Sequence, residues 1–368
     1  MRILFISGAL FGHVNPMLPL ALAARTAGHE VIFATGPEFV PSLERRGLSC
    51  WAVGLTHAQA GGSRQDSWLA YFEATAGRRA ADLLPRATAW HPDVVIHEET
   101  ELAGPTVAAA TGARHVVHGL GGMPPKRIWP AFAQAIERIG ERWGHPEVAG
   151  TLSDATYLHL CPPALERRGE APIWRRVQPL RPGPGLSIPG DRLPESLDTL
   201  PARLTIHLTL GTVYNGNVDV LRRAIEGLRE LKANIIVTVG QDADPAVLGL
   251  QPAHVRVERY VPHALLLPRC GLVVSQGGSG TLLGALCHGL THLMLPQGAD
   301  QFLNAEAAVA SGAALALTGE DVTAEAIRDS VRRLLDEPGF AVAARRVQAE
   351  IAAMPSAAQV LEQIVDRR

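Results

Sequence analysis

The feature that most constrains this chain is a rhythm that runs through it twice. Short apolar runs alternate with segments of helical spacing, the alternation stops at one stretch dense in Pro and Gly, and then it starts again. Apolar runs followed by helices are the grammar of βαβ units, which build parallel sheets covered by helices. In the first half the runs fall at 3–7 (ILFIS), 30–34 (EVIFA), 49–53 (SCWAV), 94–97 (VVIH) and 115–118 (HVVH). The second half carries TIHLTLG at 205–211, NIIVTVG at 234–240, VRVERYV at 255–261, GLVVS at 271–275 and THLML at 291–295. Between them VQPLRPGPGLSIPGDRLPE, 177–195, has neither period and reads as a linker. The pattern predicts an α/β chain of two tandem, doubly wound domains, with SAAQVLEQIVDR at 356–367 as a closing helix.

Composition agrees with two cores and narrows the partners. A chain of 368 residues exceeds one ordinary core and suggests two domains of roughly 150–200 residues each. A net charge of −2 and the absence of any Lys/Arg run argue against nucleic acid, so the expected ligands are small molecules. Cys50, Cys161, Cys270 and Cys287 show neither CxxC nor a framework spacing, which predicts reduced thiols in a cytoplasmic protein. ILFISGALF at 3–11 is interrupted by Gly12 and His13 and reads as a strand rather than a signal peptide. No run approaches the ~20 apolar residues of a membrane span.

Doubly wound sheets bind ligands beyond the carboxyl ends of their strands, where the strand order reverses. With the first and fourth strands as neighbours, GALFGHVNP (8–16) meets EETELAG (98–104), and GTVYNGN (211–217) meets QGGSGTL (276–282). A helix beginning at about Ser279 would point unpaired N–H groups and its positive dipole end into the second site. Gly277, Gly278 and Gly280 would allow a phosphate to approach. Ser279, Thr281 and Thr212 offer hydroxyl donors, and Asp300 and Gln301, in LPQGADQFLNA, offer groups suited to a sugar; Asp300 has the alternative role of a helix cap.

These stretches resemble the donor-binding signature of family 1 glycosyltransferases. The resemblance rests on YVPHALLL (260–267), SQGGSGTLLGALCHGLTHLMLPQGADQFLNAEAAVASGAA (275–314) and GHVNPMLPLA (12–21), and is nearest to the bacterial branch that attaches deoxysugars to antibiotics. It implies the GT-B fold, two Rossmann-like domains with an interdomain cleft. The implied divisions are an acceptor-binding domain at 1–178, a linker at 179–198, a nucleotide-sugar domain at 199–352, and a helix at 353–368 packing back on the first domain. It further places Tyr260 on the donor base, Val261 at a backbone contact to that base, and Gly211, Thr212, Gln276, Gly278, Ser279, Gly280 and Thr281 around the diphosphate, with Asp300 and Gln301 at the sugar. Family members usually carry His where Gln276 stands and Pro where Thr291 stands. A Gln amide can donate to phosphate but cannot become cationic. Plant members place a ribose-binding Glu where this chain has Gly284, which predicts a thymidine rather than uridine diphosphate sugar as donor substrate, with no cofactor.

The first switch point supplies a base. His13 at the end of the first strand and Glu98 at the end of the fourth could form a dyad, with Glu99 and Glu101 competing for the second place. The predicted reaction is an inverting displacement by an acceptor hydroxyl, with no metal. QDAD at 241–244 imitates a metal-binding DxD but reads as a turn before Pro245, HEETE at 97–101 lacks the second His of HExxH, and His115 and His118 face opposite sides of a strand. Trp68, Phe72, His118, Trp129 and Phe132 are the candidates for a small natural-product aglycone. The chain is expected to be a monomer or homodimer, and formation of a C- or N-glycosidic bond, a nucleotide-sugar 2-epimerase and a non-catalytic sugar-nucleotide-binding protein are the alternatives at this level.

Overall fold

The computed structural model describes residues 1–61, 68–167, 171–185, 187–188, 190–197, 199–211, 217–240 and 243–366. They divide into two compact units. Met1–Cys161, Arg167–Arg181 and Met354–Arg368 form the first, and Pro162–Glu166 with Pro182–Ala353 form the second.

Among the described residues the first unit has a seven-stranded sheet made of β1 (Arg2–Ile6), β2 (Glu30–Thr35), β3 (Ser49–Ala52), β4 (Val94–Glu98), β5 (Arg114–His118), β6 (Thr156–His159) and β7 (Arg176–Pro179). Their order is β3-β2-β1-β4-β5-β6-β7, and every neighbouring pair is parallel. Ile3–Ile6 and Val94–Ile96 are fully buried. Central parallel strands covered on both faces read as continuous apolar runs, which is why they were visible in the sequence. The edge was not. Val177–Pro179, read above as linker, form the end of β7; an edge strand pairs on one side only and so tolerates Pro179. The helix Ala357–Asp366 buries Val360, Leu361 and Ile364 and packs on the helix Phe11–Thr26.

The second unit repeats the plan with β8 (Leu204–Thr209), β9 (Ala233–Thr238), β10 (Val255–Glu258), β11 (Leu272–Ser275), β12 (Thr291–Met294) and the three-residue β13 (Ala314–Ala316), ordered β10-β9-β8-β11-β12-β13. All pairs are again parallel. In each sheet the first and fourth strands are neighbours: Ile6 is in register with His97, and Thr209 with Ser275. The loops leaving those paired ends must therefore meet, and they carry the candidate residues. No described helix is long and apolar enough to cross a membrane.

Candidate functional site

In the first unit the chain leaves β1, turns at Gly8 and enters a helix at Phe11, so His13 stands on the first helical turn rather than in the loop that the sequence suggested. Its Nδ1 lies 2.9 Å from Glu98 Oε1. The carboxylate is held from other sides as well: Thr100 donates its N–H (2.6 Å) and its hydroxyl (2.8 Å) to Oε2, and Gly8 donates its N–H to Oε1 at 3.3 Å. Burial raises the Glu98 pKa, but His13 and the Thr100 hydrogen bonds outweigh it and hold the carboxyl at about 2. A carboxylate only accepts, so in the neutral imidazole Nδ1 carries the proton and Nε2 keeps its lone pair. That tautomer can take a proton from a substrate.

The two competing glutamates are committed elsewhere. Glu99 accepts from the Tyr157 hydroxyl at 2.5 Å and from Leu120 N at 3.4 Å. Glu101 pairs with the buried guanidinium of Arg79 and accepts from Ala103 N at 3.1 Å. Arg79, Thr100 and Tyr157 were not singled out from the sequence. Arg79 had left a signal, since it interrupts the buried stripe Thr75, Ala76, Ala80, Leu83 of the helix Trp68–Trp90. His97 and His115 form a separate pair with their Nε2 atoms 2.7 Å apart, and His97 Nδ1 donates to the Glu98 carbonyl at 2.9 Å.

The aromatic candidates form a chain of rings in which Phe72 lies 6.4 Å from Phe132. The Phe72 ring lies 5.8 Å from that of His13, and Trp68 stacks on Phe72 at 5.8 Å. Trp129 and Phe132 are buried in the core, where Trp129 meets Trp174 edge-on at 4.7 Å. His118 is wholly buried beside Glu98 in register; it donates through Nδ1 to the Gly119 carbonyl at 2.7 Å, and burial lowers its pKa to about 4.

In the second unit the helix Ser279–Cys287 begins after Gly278, whose extended backbone supplies no side-chain cap. Gly277 adopts φ 85°, and a Cβ there would come within 2.4 Å of Met294 Cε; only glycine fits this turn. The Gln276 side chain lies over Gly211 and Gly278, where added Cβ atoms would sit 2.0 and 2.9 Å from its Nε2. Its Oε1 is buried with no partner among the described residues. Among the described residues nothing outside its own helix stands within 4 Å of where a Gly280 Cβ would be. Thr281 is buried within the same helix, and Thr212 lies outside the described residues.

Asp300 precedes the helix Gln301–Ala310 but does not cap it with its side chain. Its Oδ2 instead accepts from Ser279 Oγ at 2.9 Å and from Asn304 Nδ2 at 2.9 Å. Gln301 turns Oε1 onto the N–H groups of Gln297 (2.7 Å) and Gly298 (3.1 Å). Its amide nitrogen is thereby the group left to act as a donor. Asn304 was missed; it reads as an ordinary helical polar residue. Tyr260 is half exposed after β10, while Val261 is buried beside Leu266 and Leu267. A Cβ at Gly284 would meet Leu267 Cδ1 at 3.3 Å and the Pro184 carbonyl at 3.8 Å, and Thr291 is buried within β12. Of the DxD-like stretch, Gln241 and Asp242 lie outside the described residues, and Asp244 caps the turn at Pro245 by accepting from Ala246 N at 3.0 Å.

Residues 222–366 match the family model described as erythromycin biosynthesis protein CIII-like, C-terminal domain. The L-demethylnoviosyl transferase of Streptomyces niveus is 32% identical over 389 residues, covering 98% of this chain and 97% of that protein. Among solved structures, the glycosyltransferase VinC in complex with dTDP aligns with a TM-score of 0.81 at 29% identity, over 99% of this chain and 98% of that one. The spinosyn rhamnosyltransferase SpnG complexed with spinosyn aglycone aligns with a TM-score of 0.81 at 27% identity over 100% of both chains. Two parallel Rossmann-like sheets, with relatives of this kind along nearly the whole length, make the chain a member of the antibiotic deoxysugar glycosyltransferases of the GT-B family.

Proposed function

We propose that this enzyme transfers a deoxysugar from a thymidine diphosphate sugar to a hydroxyl of a small natural-product aglycone, with inversion at the anomeric carbon and without a metal. The observation that carries the reading is the His13 Nδ1 to Glu98 contact of 2.9 Å, which leaves Nε2 as a base. In the proposed step Nε2 removes the acceptor proton and the oxygen attacks the anomeric carbon. The bond to the diphosphate breaks on the opposite face, and Glu98 stabilises the imidazolium. The N–H groups opening the helix Ser279–Cys287 receive the charge that develops on the diphosphate. VinC with dTDP and SpnG with an aglycone are similar chains that hold the two classes of ligand proposed here. At Gly284 no side chain is available to bind a second ribose hydroxyl, which supports thymidine over uridine.

His13→Ala should abolish turnover, by about 10²-fold or more, while thymidine diphosphate still binds. Mass spectrometry over a panel of polyketides with thymidine and uridine diphosphate sugars identifies the product, NMR its anomeric configuration, and a chelator control its metal requirement. Undiminished turnover by the variant, or retention of configuration, would remove the mechanism.

A further inference from the structure

Asn304 gathers the donor side of the second unit. It is nearly buried, at 8% exposed, on the first turn of the helix Gln301–Ala310, and its Nδ2 reaches three acceptors. These are the Gly277 carbonyl at 3.0 Å, Ser279 Oγ at 3.1 Å and Asp300 Oδ2 at 2.9 Å. Ser279 donates to the same carboxylate oxygen at 2.9 Å. An amide nitrogen has two hydrogens, so the three acceptors share them and are drawn to one point. One contact steadies the carbonyl of the left-handed turn that aims the helix N-terminus; another commits Asp300 Oδ2, leaving Oδ1 as the oxygen to offer a ligand. Ser279, the first residue of the helix, joins the two.

We infer that Asn304 is a positioning residue that locks the Asp300 carboxylate to the diphosphate cradle, so that sugar and diphosphate are read at one fixed spacing. The inference rests on the donor site proposed above. It assigns Asn304 no contact with substrate. Its effect falls on how well a sugar attached to the nucleotide is recognised, more than on the nucleotide itself.

The test uses the full chain, wild type, Asn304→Ala and Asn304→Asp, each checked for native melting and titrated with thymidine diphosphate and with thymidine diphosphate glucose between pH 5 and 8. The readout is the ratio of the two dissociation constants. Asn304→Ala should shift that ratio against the sugar nucleotide by about tenfold, with thymidine diphosphate affinity within about threefold of wild type. In Asn304→Asp two carboxylates would share the site, raising the pKa of one. A shared proton could then replace the amide hydrogen, so the lost sugar discrimination should return as the pH falls, whereas Asn304→Ala should stay flat. A purely structural role would not produce that pH-dependent rescue. A ratio unchanged from wild type in Asn304→Ala, or no pH dependence in Asn304→Asp, overturns the inference while leaving the donor site standing. Failure of the wild type to bind thymidine diphosphate at all would remove the donor site and this inference with it.

Discussion

At the scale of residues, the proposed chemistry turns on which of three neighbouring carboxylates faces His13. Glu98, Glu99 and Glu101 are chemically alike and separated by at most three positions, so the sequence named Glu98 from its place at the strand end with the other two as competitors. The strand end divides them: Glu98 turns to His13, Glu99 to Tyr157, and Glu101 to Arg79. Replacing Glu98 by Gln keeps the shape but removes the charge, and an amide can present a donor to Nδ1 and favour the wrong tautomer. Glu98→Gln should lower kcat by about 10²–10³-fold with little change in donor KM, measured by steady-state kinetics. An unaltered kcat would deny the carboxylate its role. Asp300 shows the same limit of local reading. The sequence offered it a sugar contact with a helix cap as the alternative, and neither named the Ser279 and Asn304 groups to which its carboxylate is bound.

At the scale of elements, the helix Trp68–Trp90 joins the ring cluster of Trp68 and Phe72 to the frame. It carries Trp68 and Phe72 near His13 at its start and the buried Arg79 two turns later. The Arg79–Glu101 pair ties this helix to the segment that follows β4, just after Glu98 and Thr100. Both side chains are almost fully buried, so truncating one leaves an uncompensated charge in the core. Arg79→Ala should cost about 3–5 kcal/mol in urea denaturation. The double variant Arg79→Met with Glu101→Leu should recover most of that loss. A cost below ~1 kcal/mol for the single variant would mean that the pair contributes nothing beyond packing. Elements were legible where they were central and apolar. β7 and β13 escaped as edge strands of four and three residues, too few to show a period; β6, an internal strand of four residues, was also missed.

At the scale of the whole molecule, buried histidines set the response to acid. Burial lowers His97, His118, His159 and His263 to about 4 and His292 to about 3, with His115 and His207 well below their ordinary value. The unfolded chain takes up protons near pH 6.5 and the folded chain refuses them until near 4, so folded stability is greatest above 6.5 and falls as the pH drops through that window. Each such histidine costs on the order of 1 kcal/mol at pH 5.5. Glu98, whose carboxyl is depressed to about 2, loses its contribution in the same direction below pH 4.5; Glu101, raised by burial, opposes it as a single group. Chemical denaturation at pH 7.5 and 5.5 should show a markedly less stable protein at the lower value. Equal stability at the two would contradict the burial of these rings.

By itself the sequence determined the repeated βαβ plan, the glycine turn before Ser279 and the placing of His13 and Asp300 beyond strand ends. Each of these is written in local period, in turn chemistry or in the order of segments. Only the tertiary structure decided the partners: Glu98 for His13, 85 positions away, and Ser279 and Asn304 for Asp300. A hydrogen bond between side chains depends on distances of a few tenths of an ångström, and those are set by how distant strands and helices pack rather than by the residues' neighbours along the chain.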